Sequence, residues 1–184
     1  MRLFAALPVA GAARRELSDL LVRLRETSWP VMWVQDEGLH VTVRFLGEVQ
    51  EVRVPAVRDG LREAAFGTPA LPFTATELGA FPTLSRARVL WAGYESEPAL
   101  ELLVHRVEQA VIRLGYPGEG KPFHPHVTLG RVRDGARLPQ EGLGAFTRER
   151  ITGSFLAERL VLYESRTGPG GSRYFEVDSY PLWR

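Results

Sequence analysis

Cysteine is absent from the 184 residues. Disulfides, thiolate nucleophiles and cysteine-ligated zinc are therefore excluded. Asparagine is also absent, methionine occurs twice, and Lys121 is the only lysine. A heat-adapted source or codon bias accounts for the missing asparagine. Positive charge rests almost wholly on arginine, whose planar fork suits bidentate phosphate contacts and stacking on bases. A GC-rich genome produces the same bias. Lys and Arg number 23 against 22 Asp and Glu, a net charge of +1. That balance rules out a molecule-wide attraction to nucleic acid and leaves room for a local basic cleft. No apolar run reaches the roughly 18 residues that a membrane span needs. The opening MRLFAALPVAGAARR has a faint signal-peptide look. Pro8 interrupts it, and its charge lies mainly on the wrong side, at Arg14 and Arg15. A first strand over Arg2 to Leu7 is the better reading, which points to a cytoplasmic protein with no membrane partner.

What is present is ordinary for a globular chain: 45% hydrophobic and 24% charged residues. The length suits a single two-lobed domain over 1–184. Three stretches predict amphipathic helices. In GAARRELSDLLVRLRE, Ala13, Leu17, Leu20, Leu21 and Leu24 share a face. In EVRVPAVRDGLREAAF, Val54, Val57, Leu61 and Ala65 do so, with Gly60 a weakness. In EPALELLVHRVEQAVIRLG, Leu100, Leu103, Val107, Val111 and Leu114 form a stripe, and Gly115 reads as the C-terminal cap. His105 lies beside that stripe and reads as a surface residue. The strands are RLFAAL, VMWVQ, HVTVRFLG, LPFTATELGAF, RVLWAGY, HVTLGRV, GSFLAERLVLYES and RYFEVDSY, with a short helix before the last two. Strand pairs between single helices predict an α+β fold with antiparallel sheets and helices outside.

Two of the four histidines stand in the same tripeptide, His40-Val41-Thr42 and His126-Val127-Thr128. With ten threonines in the chain, about 0.2 H-x-T matches are expected by chance, so two is roughly a one-in-fifty event. Each copy sits in the strand pair between one helix and the next, a weak repeat that implies two similar lobes. Strand alternation puts His40 with Thr42 on one face and Val41 with Val43 on the other. His126 with Thr128, and Val127 with Leu129, divide in the same way. If the lobes face each other, two imidazoles and two hydroxyls converge. One neutral imidazole can take a proton from a nucleophile, and one protonated imidazole can give one to a leaving oxygen. Hydroxyls can hold non-bridging phosphate oxygens for in-line attack. That is phosphodiester chemistry with no cofactor required.

HVTVRFLGEV (40–49) and FHPHVTLGR (123–131) resemble the RNA 2′,3′-cyclic phosphodiesterase family of two-histidine phosphoesterases, also called 2′-5′ RNA ligases. RLFAALP, LGAFPTLSRARVLWAG (78–93) and LYES followed by Gly and Tyr174 support the likeness, which covers essentially the whole chain. The resemblance implies a bilobal, pseudo-two-fold fold with a cleft between two antiparallel β-sheets. It implies hydrolysis of RNA ends bearing a 2′,3′-cyclic phosphate to a 2′-phosphate, and ATP-independent 2′-5′ joining of such ends. The chain is expected to be a monomer. It makes His40 the general acid and His126 the general base, an assignment the residues themselves leave open.

Five positions after each histidine stand Phe45 and Arg131, both matching the family pattern. A ring and a guanidinium are platforms for a base, and Arg131 could also stabilise phosphorane charge. Alternation, however, places both on the face opposite the histidines, so a bulge or strand end is needed to bring them to the cleft. Arg44 has the correct parity to reach phosphate and otherwise reads as a solvated strand-end residue. Arg88 matches a family arginine and serves either a basic rim or an ion pair. His124 is unexpected. It shares a face with His126, so His40, His124 and His126 give an alternative zinc site. Related enzymes that act on small cyclic nucleotides are a further alternative.

Overall fold

A computed structural model describes residues 1–168 and 171–183. Ten strands and four helices run in the order β1 (Arg2–Pro8), α1 (Gly11–Arg25), β2 (Val31–Trp33), β3 (His40–Glu48), α2 (Val54–Ala65), β4 (Leu71–Phe73), β5 (Ala75–Phe81), β6 (Val89–Tyr94), α3 (Pro98–Arg113), β7 (His126–Val132), α4 (Gln140–Arg148), β8 (Phe155–Ala157), β9 (Arg159–Gly168) and β10 (Gly171–Pro181). The α+β class expected from the sequence is what the chain adopts.

Strand pairing runs β10-β9-β1-β3-β7-β6-β5, with β2 also on β7. All these pairs are antiparallel. β3 and β7 meet at a single pair, Val41 opposite Val127. The sheet is thus two four-stranded halves, β10-β9-β1-β3 and β2-β7-β6-β5, sewn together at the middle residue of the two H-V-T motifs. Both valines are fully buried, and each contributes about 1.5–3 kcal/mol by leaving water. The seam therefore lies in the core, and the histidines and threonines flank it on the other face.

The helices carry the predicted stripes. Ala13, Leu17, Leu20, Leu21 and Leu24 are the buried residues of α1. Gly60 in α2 faces α3, where an added Cβ would meet the Ala110 Cβ at an ordinary contact distance of 3.5 Å. At the end of α3, Gly115 has φ +83°, a left-handed conformation that glycine adopts without strain. Gly115 N–H bonds the Ile112 carbonyl and Tyr116 N–H bonds the Val111 carbonyl, the paired bonds of a Schellman cap. One helix also ties the halves together. α3, which leaves β6, lies against β3 and α2. α1, which leaves β1, lies against β8, and its Glu16 accepts bonds from the Thr152 and Gly153 N–H groups.

Two stretches read as single strands are each divided. LPFTATELGAF breaks at Thr74 and GSFLAERLVLYES at Glu158. β4 pairs with β8 in a small separate sheet, while β9 belongs to one half of the large sheet and β5 to the other. Alternation continues through the break at Thr74, whereas at Glu158 two successive residues, Glu158 and Arg159, are exposed and the facing reverses.

Candidate active site

β3 and β7 present the same side-chain pattern from the same offset. His40, Thr42, His126 and Thr128 are half-buried, while Val41, Val43, Val127 and Leu129 are buried. The pattern then slips in both strands. Opposite β1, Ala6 faces Thr42 and Ala5 faces Arg44, so Val43 is an extra residue. Opposite β6, Trp91 faces Thr128 and Leu90 faces Gly130, so Leu129 is extra. Each strand therefore carries a bulge three residues after its histidine, and a bulge reverses the facing of the residues beyond it. Phe45 and Arg131, on the wrong face by strict alternation, become exposed on the histidine side.

The same slip corrects the reading of Arg44. It leaves the histidine face and is only 7% exposed. Its Nη1 donates to Glu119 Oε1 at 2.6 Å, its Nη2 to the Pro117 carbonyl, and its Nε lies 2.8 Å from Glu108 Oε2. A guanidinium so committed anchors the 117–119 segment and α3 to β3. It is not a spare phosphate ligand, nor a solvated strand-end residue. The zinc alternative also fails on geometry. Among the described residues, no three His, Cys, Asp or Glu side chains converge as metal ligands.

Each imidazole is held by the carbonyl two residues before it. His126 Nδ1 lies 2.7 Å from the His124 carbonyl, and His40 bonds the Gly38 carbonyl. A ring nitrogen facing a carbonyl must carry the proton, which leaves the other nitrogen of the neutral ring as a free base. The surroundings then diverge. His40 is boxed by Phe4, Tyr174 and Tyr163, with ring centroids at 4.9, 5.1 and 6.1 Å. Gly38 makes the box possible, since a Cβ there would lie 3.0 Å from the Tyr174 ring. Burial holds both tyrosine phenols above their ordinary range, so they stay neutral. Burial likewise pushes His40 down to about 4, aided by the charges of His126 and Arg131 and opposed by the Gly38 bond. His126 stands among Phe81 at 5.0 Å, Trp91 at 6.5 Å and the His124 ring stacked at 6.2 Å. Its pKa is also lowered, first by burial and then by His124 and Arg131, against the His124 carbonyl bond.

The sequence reading assigned no role to Phe4, Tyr163, Phe81 or Trp91, and counted Tyr174 only toward the family likeness. These rings come from β1, β5, β6, β9 and β10, and only register brings them to the histidines. Two recesses adjoin the pair. One of about 390 Å³ is lined by Trp33, Arg131, Arg173 and Tyr174 among others. The other, about 930 Å³, includes Thr42, Phe45, Phe81, Arg88, His124 and His126 in its wall. Arg88 is exposed at the rim, its Nη1 on the Ala136 carbonyl at 3.2 Å.

Two facing H-x-T strands on a pseudo-symmetric sheet define a two-histidine phosphoesterase. Residues 7–91 and 94–174 match the LigT like Phosphoesterase family, and the chain belongs to that family. It is 32% identical over 133 residues to the RNA 2′,3′-cyclic phosphodiesterase of Thermotoga maritima, covering 72% of this chain and 71% of that protein. It is 24% identical over 184 residues to the protein of that name from Methanothermobacter thermautotrophicus, 99% of each. Among solved structures, a Thermus thermophilus protein superposes with TM-score 0.83 at 27% identity, covering 99% of this chain and 98% of that one. E. coli LigT complexed with 3′-AMP superposes with TM-score 0.79 at 24% identity, covering 100% and 98%.

Proposed function

We propose that the protein hydrolyses 2′,3′-cyclic phosphate at RNA ends to a 2′-phosphate, with His40 and His126 as the acid–base pair. The observation that carries this reading is the seam: one residue pair, Val41 with Val127, sets two identical H-x-T half-sites side by side. Water attacks phosphorus in line with the 3′-oxygen. The free nitrogen of His126 takes the water proton, the bond from phosphorus to O3′ breaks, and His40 delivers a proton to O3′. Thr42 and Thr128 hold the non-bridging oxygens. Arg131 stabilises the charge that builds on them, and Phe45 supplies a face for the neighbouring base. No metal enters these steps.

A 5′-hydroxyl in place of water gives the same displacement and leaves a 2′-5′ linkage, with the strained cyclic phosphate supplying the energy. The recess beside Arg131 is where an acceptor end fits while the other recess is filled. Incubation with an RNA ending in 2′,3′-cyclic phosphate, in EDTA, tests the reading. The expected product is a 2′-phosphate end. A 3′-phosphate product, or activity that disappears with chelation, defeats it.

A further inference from the structure

We infer that Arg44 is a positioning residue for His126: from the first half-site it fixes the chain segment whose His124 carbonyl holds the His126 ring in the tautomer a base needs. This rests on the phosphodiesterase reading and adds to it a residue that touches no substrate. Arg44 lies on β3, four residues after His40. Its partners lie on α3 and on the segment that leads from α3 to β7, in the other half-site. Nη1 donates to Glu119 Oε1 at 2.6 Å, Nη2 donates to the Pro117 carbonyl, and Nε lies 2.8 Å from Glu108 Oε2. The second oxygen of Glu108, Oε1, accepts the Glu119 N–H at 2.6 Å. One buried guanidinium therefore fixes both the backbone and the side chains of 117–119 against α3.

Replacing a buried ion network by packed apolar side chains is often neutral for stability. Stability alone is thus a weak reason for building this one. Its place in the chain supplies a stronger reason. Gly120, Lys121, Pro122 and Phe123 are all that separate Glu119 from His124. The segment forms neither helix nor strand, so side chains must hold it. The carbonyl facing His126 Nδ1 belongs to the peptide between His124 and Pro125. Proline offers no N–H by which that peptide could be tied, so the chain on either side must orient it. Downstream, the Tyr94 N–H holds the Pro125 carbonyl at 3.0 Å. Upstream, the Arg44 network is the anchor. The segment before His40 has a different one: Arg25 of α1 donates to the Val34 carbonyl at 2.8 Å and to Asp36 Oδ1 at 2.9 Å. The two imidazoles can therefore be disturbed separately.

The test follows the ring nitrogen resonances of His126 in the full chain at about pH 8, where the imidazole is neutral and its two tautomers are distinguishable. Turnover of a cyclic-phosphate-ended RNA is measured alongside. The R44M/E108Q double variant removes the anchor and leaves no buried charge behind. Its His126 is expected to pass from the Nδ1–H form to a mixture rich in Nε2–H, with His40 unchanged as the internal control. Its kcat should fall about 10- to 100-fold, the cost of a displacement on the order of an ångström, with KM constant within about twofold. Glu119→Ala removes only the exposed member of the network. It should shift tautomer and kcat in the same direction by less, and it carries the test if the double variant does not fold. An arginine that serves packing alone predicts a lower melting temperature with the His126 tautomer and kcat unmoved. That result overturns the inference, and so does a fall in kcat with the His126 ring unmoved. A tautomer shift in a protein that turns over no cyclic substrate keeps the positioning role and defeats the phosphodiesterase reading.

Discussion

The two half-sites share a backbone and differ in their walls. Each histidine bonds the carbonyl two residues earlier, each strand bulges three residues later, and each exposes its fifth residue. Around His40 stand Phe4, Tyr163 and Tyr174, a box of neutral rings. Around His126 stand Phe81, Trp91 and a second imidazole, His124. The motif thus sets two imidazoles in equivalent backbone settings, and the neighbouring strands make them unequal. An enzyme that needs one acid and one base can duplicate a half-site and then differentiate the rings that press on it.

Removing either imidazole tests the pair most severely. His40→Ala and His126→Ala should each lower kcat/KM by roughly 10²–10⁴. Retained activity in either variant contradicts the acid–base pair. A substrate with a low-pKa aryl leaving group separates the roles, since such a group departs without an acid. His40→Ala should recover most of its loss on that substrate and His126→Ala should not. The reverse pattern would exchange the two assignments.

Phe45 and Arg131 occupy equivalent positions with different chemistry, so their truncations should split. Arg131→Ala should lower kcat by roughly 10² through lost transition-state charge stabilisation. Phe45→Ala should raise KM about 5- to 150-fold with kcat nearly constant, a loss of about 1–3 kcal/mol of base stacking. Equal effects on kcat would mean that the ring too contacts the reacting phosphate.

Much of this was legible in the sequence, and the remainder escaped for one physical reason. Helix stripes depend on period 3.6 within a single segment; α1 buries the whole stripe that was read, and α2 and α3 bury theirs except for Val54 and Leu114, which are half-buried. The H-x-T faces depend on period 2 within one strand. Arg44 was misplaced, and Phe45 and Arg131 posed a parity conflict, because an extra residue at Val43 or Leu129 reverses the period without altering the residue pattern. The aromatic boxes were invisible for a related reason. Phe4 and Tyr163 sit beside His40 only through the pairing of β1 with β3 and β9, and register between strands distant in sequence leaves no local mark. His124, placed by H-P-H on the face of His126, does stack against that ring.

The smallest expected effect concerns the box itself. His40 is held at about 4 rather than 6.5, chiefly by burial. In the free protein at neutral pH it is therefore unprotonated, and an acid role requires proton uptake when the anionic phosphate enters. Replacing Tyr174, whose ring stands edge-on at 5.1 Å, by Leu opens the box and should raise the His40 pKa by about one unit, or about 1.4 kcal/mol. The stability consequence has a definite sign. Between pH 6.5 and 4 the unfolded chain binds a proton at this position and the folded chain does not, so stability is full above 6.5 and declines as pH falls toward 4. Tyr174→Leu should flatten that decline while losing packing at every pH, so its deficit against the unsubstituted protein narrows from about pH 8 to about pH 5. Denaturant titrations at those two pH values measure the narrowing, and the His40 ring resonances report the pKa directly. Added inorganic phosphate should raise that pKa in both proteins and leave the variant higher. A deficit constant with pH, with His40 titrating alike in both, would assign Tyr174 to packing alone and leave the difference between the two half-sites to Phe4 and Tyr163.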